Sequence, residues 1–236
     1  MAIGANALAL GDYAVAQGDA ANAVGEASIA QGQGANALGF GSIAQGLEAK
    51  ATGVGSIAQG LGANATGKGS IAIGGGALAN GSFNVAMGMY SGYESQGSGN
   101  VAVGFNAGEA LNGNDNTLLG NNSGNFITGN DNVTLGKMAG SVSGYNEDVG
   151  TYIDRSGGST QISVNVSNSV SLGALSLTLQ DNGVALGSGA IANTAAGQVG
   201  YLAGGKTDAT WKATLAAVSV GGIDPYDGKN VVNTRQ

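Results

Sequence analysis

The chain has 236 residues, of which 46 are glycine and one is proline, and only 10% are charged. That balance excludes a solvated disordered tail, collagen, which needs glycine at every third position and abundant proline, and a membrane-spanning apolar helix. Cysteine and histidine are both absent and the net charge is −7. This removes disulfide frameworks, thiolate and imidazole metal sites and any triad with a histidine base, and it argues against nucleic acid or an anionic membrane surface as partner.

From the first residues a repeat dominates. Glycine recurs at every seventh position, from Gly4, Gly11, Gly18 and Gly25 through to Gly88. Two kinds of heptad alternate, so the true unit is about 14 residues. One half reads SIAQG at 28–32, 42–46 and 56–60, then SIAIG at 70–74. The other reads ANAVG at 21–25, ANALG at 35–39, AKATG at 49–53 and ANATG at 63–67. Each half is a short alternating run bounded by glycine, too glycine-rich for helix, and reads as a short strand followed by a tight turn. Two short strands per coil, stacked coil on coil, predict an all-β parallel β-solenoid with glycine at its corners.

Alternation assigns the faces, since successive strand residues point to opposite sides. Ala16, Ala30, Ala44, Ala58, Ala72, Ala86 and Ala102 are expected inside, joined by Ala21 and Ala23 of the other strand, so the coil must be thin. The opposite face carries a ladder of Val15, Ile29, Ile43, Ile57, Ile71, Val85, Val101 and Val133. A neighbouring file runs Gln17, Gln31, Gln45, Gln59 and then turns apolar at Ile73, Met87, Val103, Leu119 and Leu135. A long apolar stripe on a thin coil predicts an interface. The competing reading puts the large residues inside the coil and alanine in solvent. On the second strand Asn22, Asn36, Lys50 and Asn64 are expected to face outward.

From Asn84 the unit lengthens to about 16 residues: NVAMG at 84–88, NVAVG at 100–104, NTLLG at 116–120 and NVTLG at 132–136. The array therefore spans 1–140. The pattern fails over 141–168, where an acidic pair, TYIDR, SGGS and QISVNV read as a β-hairpin or protruding loop, or as a spacer that helps the coils stack. It resumes with SVSLG at 169–173 and GVALG at 183–187, giving further coils over 169–207. A different module closes the chain at 208–236, with Trp211 expected as a buried anchor and Pro225 as the only proline. No charged leader with an apolar core precedes the array, and Met1 opens in the middle of a unit, as expected of a piece of a longer protein.

The SIAIG and NVAVG units, their 14-residue period and the closing TWKATLAAVSVG and TRQ resemble the head and neck of trimeric autotransporter adhesins, the YadA-like group. The resemblance covers about 1–140 and 169–200 for the head and 208–236 for the neck. It implies a left-handed parallel β-roll in each chain, three chains side by side in a homotrimer, and a neck leading to a coiled-coil stalk. It implies attachment to the outer membrane of a Gram-negative bacterium, exposure at the cell surface and a role in virulence. Partners would be extracellular matrix proteins such as collagen, fibronectin or laminin, other cells, or surfaces, with no cofactor and no catalysis. In this group NSVAIG-type motifs support collagen binding. Their counterparts here are Ser70, Ile71, Ala72, Ile73 and Gly74, then Asn84, Val85, Ala86, Met87 and Gly88, then Asn100, Val101, Ala102, Val103 and Gly104. The trimer interface would use Val15, Ile29, Ile43, Ile57, Ile71, Val85 and Val101, with Gln17, Gln31, Gln45 and Gln59 beside them. The 16-residue units, the 141–168 segment and a longer neck depart from the plain head pattern.

Other motifs carry less. GANATGKG at 62–69 is one residue from a phosphate-binding loop, but Gly69 stands where that loop needs serine or threonine. GNDN at 113–116 and 129–132 offers Asp115 and Asp131 as oxygen ligands for Ca²⁺, although Asx-type turns satisfying local N–H groups explain it more simply. Two other function classes remain open: a phage tail-fibre or receptor-binding segment, and an ice-binding solenoid using Thr52 and Thr66, whose file is interrupted by Val24, Leu38 and Asn80.

Overall fold

The computed structural model describes residues 1–141, 163–199, 204–206, 208, 212–213 and 215–221, and the backbone of Ser143–Asn146 and Thr151–Asp154. Trp211, the acidic pair Glu147 and Asp148, and the neck beyond Gly221 lie outside the described residues. The described chain is all-β, without helix, and forms two compact units, Met1–Asp115 and Asn116–Gln236.

The first unit is a parallel β-solenoid. One sheet stacks Ala2–Ile3, Val15–Gln17, Ile29–Gln31, Ile43–Gln45, Ile57–Gln59, Ile71–Ile73, Val85–Met87 and Val101–Val103 in sequence order. The second stacks Leu8–Ala9, Asn22–Ala23, Asn36–Ala37, Lys50–Ala51, Asn64–Ala65 and Leu78–Ala79. Register follows the repeat: Ile29 pairs with Ile43, Ala30 with Ala44 and Gln31 with Gln45. Like therefore stacks on like, and every side-chain file is a column running along the coil axis.

Alanine fills the interior as its alternation requires. Ala16, Ala30, Ala44, Ala58, Ala72, Ala86 and Ala102 are all buried, and Ala21 and Ala23 of the second strands meet them. The large residues filling the coil with alanine in solvent is thus not what forms. Glycine sets the coil spacing. A Cβ on Gly46 would stand 2.5 Å from the carbonyl oxygen of Gly60 on the next coil, and one on Gly39 would collide with the carbonyl oxygen of Gly53. The backbones approach too closely at these corners for any side chain.

Where the unit lengthens, the coil changes character. Around Met89–Gln96 and Phe105–Asn112 consecutive turns replace the second strand, leaving one parallel bridge, Gln96 to Asn112. Two strands per coil therefore fails in these two 16-residue units, whereas the 116–131 unit has both, Thr117–Leu119 and Ile127–Thr128. Larger side chains, Leu111 in the first unit and Leu118 and Ile127 in the second, fill a core that alanine alone was expected to line. The extra residues widen the coil, and close packing demands bulk in return.

In the second unit Thr117–Leu119, Val133–Leu135, Val170–Leu172, Val184–Leu186 and Val218–Val220 form the parallel first sheet. Val164–Asn165 pairs with Ile127–Thr128, so the coil resumes five residues before the SVSLG motif. Between the two, Ser143–Asn146 runs antiparallel to Thr151–Asp154. The VSVG of the closing module supplies the last rung, Val218 beside Val184 and Val220 beside Leu186.

Candidate interaction surfaces

The three motifs singled out at 70–74, 84–88 and 100–104 divide between inside and outside. Ser70, Ala72, Asn84, Ala86, Asn100 and Ala102 are buried within the coil. Ile71, Ile73, Val85, Val101 and Val103 are half-buried and Met87 is exposed, all on the outer face of the first sheet. Gly74, Gly88 and Gly104 are corners; a Cβ on Gly74 would stand 2.5 Å from the Gly88 carbonyl oxygen. Only the outer files can touch another molecule without unfolding the coil.

The outer face of the first unit's first sheet is a continuous column. Val15, Ile29, Ile43, Ile57, Ile71, Val85 and Val101 are each half-buried, packed at their flanks and open at their tips. Gln17 and Gln59 are exposed, and Gln31 and Gln45 partly so. The glutamines hydrogen-bond along the file: Gln31 Nε2 donates to Gln17 Oε1 at 3.1 Å, and Gln45 Nε2 to Gln31 Oε1 at 2.6 Å. In the second unit Val133, Val170, Val184 and Val218 continue the same kind of file, with Leu135, Leu172, Leu186 and Val220 alongside.

The second-strand asparagines do not simply project into water. Asn22, Asn36 and Asn64 are half-buried, and their Oδ1 atoms are shielded without a hydrogen-bond partner. Lys50, between Asn36 and Asn64 in the file, is exposed.

A polar column escaped sequence reading. Asn84, Asn100, Asn116 and Asn132 open the lengthened units and turn inward. In the first unit the Asn100 N–H donates to Asn84 Oδ1 at 2.8 Å, while Asn84 Nδ2 and Asn100 Nδ2 donate to the carbonyls of Gly97 and Gly113. In the second unit Asn132 Nδ2 donates to Asn116 Oδ1 at 2.9 Å and to the Val166 carbonyl, and its own Oδ1 accepts from the N–H and hydroxyl of Ser169. The sequence signal was the recurring asparagine before each strand of the longer units. Alternation could not assign it a face, because it precedes the strand.

The GNDN turns also take part in contacts between coils. Asp115 and Asp131 take left-handed backbone angles, φ 56° and 57°. Asn114 Oδ1 accepts from the Ser98 N–H a whole coil away, at 2.9 Å, and Asp181 Oδ1 does the same for Ser167. Asn114 and, outside the GNDN turns, Asp181 thus clip coil to coil. Among the described residues no group of three or more acidic side chains converges as a metal cluster. The GANATGKG segment is another coil, its strand Asn64–Ala65 paired on both sides and Lys68 exposed.

One buried carboxyl stands apart. Glu109 lies inside the first unit, where Asn106 Nδ2 donates to its Oε2 at 2.6 Å. Burial pushes its carboxyl up to about 7; the Asn106 bond opposes this and the Glu94 charge adds to it. In the second unit a cavity of about 460 Å³ opens beside Val218–Val220, bordered by Thr194, Gln198 and Leu215. Among the described residues that line it, none has a titratable side chain.

Comparison with known proteins agrees with this geometry. A family model described as the YadA head domain repeat, in two copies, matches residues 1–21, 9–35, 23–49, 37–63, 51–77, 65–91 and 167–190. The matches cover the 14-residue coils and end at residue 91, inside the first lengthened unit. No curated protein matches the chain. No helix among the described residues is long and apolar enough to cross a membrane.

Proposed function

The chain being a YadA-like trimeric autotransporter adhesin head over residues 1–91 and 167–190, we propose that it assembles as a homotrimer and attaches a Gram-negative cell to matrix proteins, cells or other surfaces by multivalent, non-catalytic contact. The observation that carries this reading is the column Val15 to Val101. A coil with an alanine interior has little apolar core to offer, and its branched residues stand on the outer face instead. Burying each remaining tip contributes about 1 kcal/mol, and the seven rungs together are of the size that association requires.

Three copies of a repeated surface turn weak contacts into avidity. The surfaces left for a ligand are the second-strand files, including Lys50, and the part of the 141–168 segment that precedes the coil's return at Val164. Collagen, fibronectin and laminin are the first partners to test. The motifs at 70–74, 84–88 and 100–104 serve here chiefly to build the coil and its assembly face, so their loss would weaken binding indirectly.

Two measurements test the reading. Light scattering should give three times the 22.7 kDa chain mass at micromolar concentration. Surface-immobilised matrix proteins and cultured cells should retain the trimer, and charge reversal at Lys50 with replacement of residues 142–162 by a short glycine-serine linker should reduce retention. A stable folded monomer, or a trimer whose retention is untouched by those changes, overturns it.

A further inference from the structure

The first unit carries a second outer surface that the assembly column does not use. At the corner following each first-sheet strand, Leu47, Leu61, Gly75, Met89 and Phe105 stack in one file, fixed by hydrogen bonds such as Asn106 N–H to the Met89 carbonyl. Leu61 is 61% exposed and Met89 47%. Beside Met89 the Tyr90 ring packs against Gly76 of the preceding coil, where a Cβ would come 2.7 Å from a ring carbon. Tyr93 meets it edge-on, with ring centroids 6.3 Å apart and planes at 82°. Both rings are close to half-exposed, 48% and 43%, and neither hydroxyl has a hydrogen-bond partner among the described residues. Glu94 follows directly and is exposed.

The charge around this corner is one-sided. In the first unit, residues 69–115 contain no lysine or arginine, while Glu94 and Asp115 are exposed carboxylates. Two half-exposed aromatic rings set edge-on, next in sequence to an exposed carboxylate, offer a cation both quadrupole and charge. Leu61 and Met89 supply apolar surface at the same corner. We propose that the Tyr90–Tyr93–Glu94 corner binds a basic side chain, arginine above all, on an exposed apolar segment of a protein partner. A guanidinium stacks on a tyrosine face and pairs with the carboxylate at once, while its apolar neighbours cover Leu61 and Met89. Glu94 is the anchor by charge and the tyrosines select a flat cation over a neutral group.

The proposal rests on the adhesive reading for its biological partner, but its chemistry can be tested separately. The probe is the peptide acetyl-(Gly-Arg-Gly-Leu)4-amide, compared by calorimetry with its citrulline counterpart, which keeps shape and loses charge. The arginine peptide should bind the assembled full chain about tenfold more tightly, with an affinity that falls as salt rises. Glu94→Gln should remove most of the salt dependence, and Tyr93→Leu should weaken binding about fivefold with an unchanged melting temperature. Tyr13→Leu, a distant exposed tyrosine, should stay within about twofold. Equal binding of the two peptides, or loss no greater in Glu94→Gln and Tyr93→Leu than in Tyr13→Leu, overturns the proposal. So does protection of Tyr90 and Tyr93 from nitration in the assembled protein. If the peptide binds at this corner while cells and matrix proteins are not retained, the corner stands and the adhesive reading falls. If cells are retained equally by wild type and Glu94→Gln, the corner falls and the adhesive reading stands.

Discussion

Glycine at the coil corners acts in two distinct ways that spacing alone does not separate. Gly39 has ordinary backbone angles, but its missing side chain makes room for the Gly53 carbonyl of the next coil. Gly41, two residues on, has φ 60°, and a methyl group placed on it would meet nothing within 4 Å. Gly39→Ala must therefore push backbone against backbone and should cost more than about 3 kcal/mol, enough to unravel the coil locally. Gly41→Ala meets only the left-handed penalty and should cost about 1 kcal/mol. Ala27 already tolerates φ 54° one coil earlier in that file. Urea titration of the two variants measures the contrast, and equal costs would refute the close-approach account.

At the scale of the element, the 14-residue coil was legible in the sequence and the 16-residue coil only in part. Strict alternation between two glycines separates the two faces and leaves two ways round, and Ala30, Ile29 and Gln31 stand as the thin-coil reading put them. The asparagine column was hidden because Asn100 precedes its strand, and burying an amide needs acceptors that only neighbouring coils supply. The return of the chain at Val164 was hidden because QISVNV alternates equally well as a hairpin strand or a coil. Glu109 was hidden for a stronger reason: nothing in GEALNG marks a carboxylate for burial. Its consequence is a pH dependence of defined sign. The folded-state value near 7 lies above the unfolded 4.5, so the native coil binds the proton more tightly. Its contribution is fully present below pH 4.5, is lost as pH rises through 7, and stays lost above. Unfolding free energy should fall by about 2 kcal/mol between pH 5 and pH 8, and Glu109→Gln should flatten that slope while leaving the coil intact. A wild-type protein with a flat profile over that range would contradict the burial.

At the scale of the whole molecule, the choice of alanine for the interior and branched residues for the exterior couples folding to assembly. A thin coil buries little apolar area by itself, and small cores are marginal. Its hydrogen-bonded columns hold each backbone in register, but the side chains that would stabilise a thicker domain are spent on the outer face. Substitutions one residue apart should therefore fail in different ways. Ala44 is fully buried between two sheets, so Ala44→Leu overpacks the coil and should lower the melting temperature sharply at any protein concentration. Ile43, its neighbour, faces out, and in the proposed trimer Ile43→Asp with Ile57→Asp places carboxylates where like meets like about the symmetry axis. That double variant should keep its β circular dichroism at high concentration yet sediment as a single chain, with a melting temperature that no longer rises with concentration. If it remained trimeric, the Val15 to Val101 column would be a solvent face, and the assembly surface would have to be sought on the second-strand files instead.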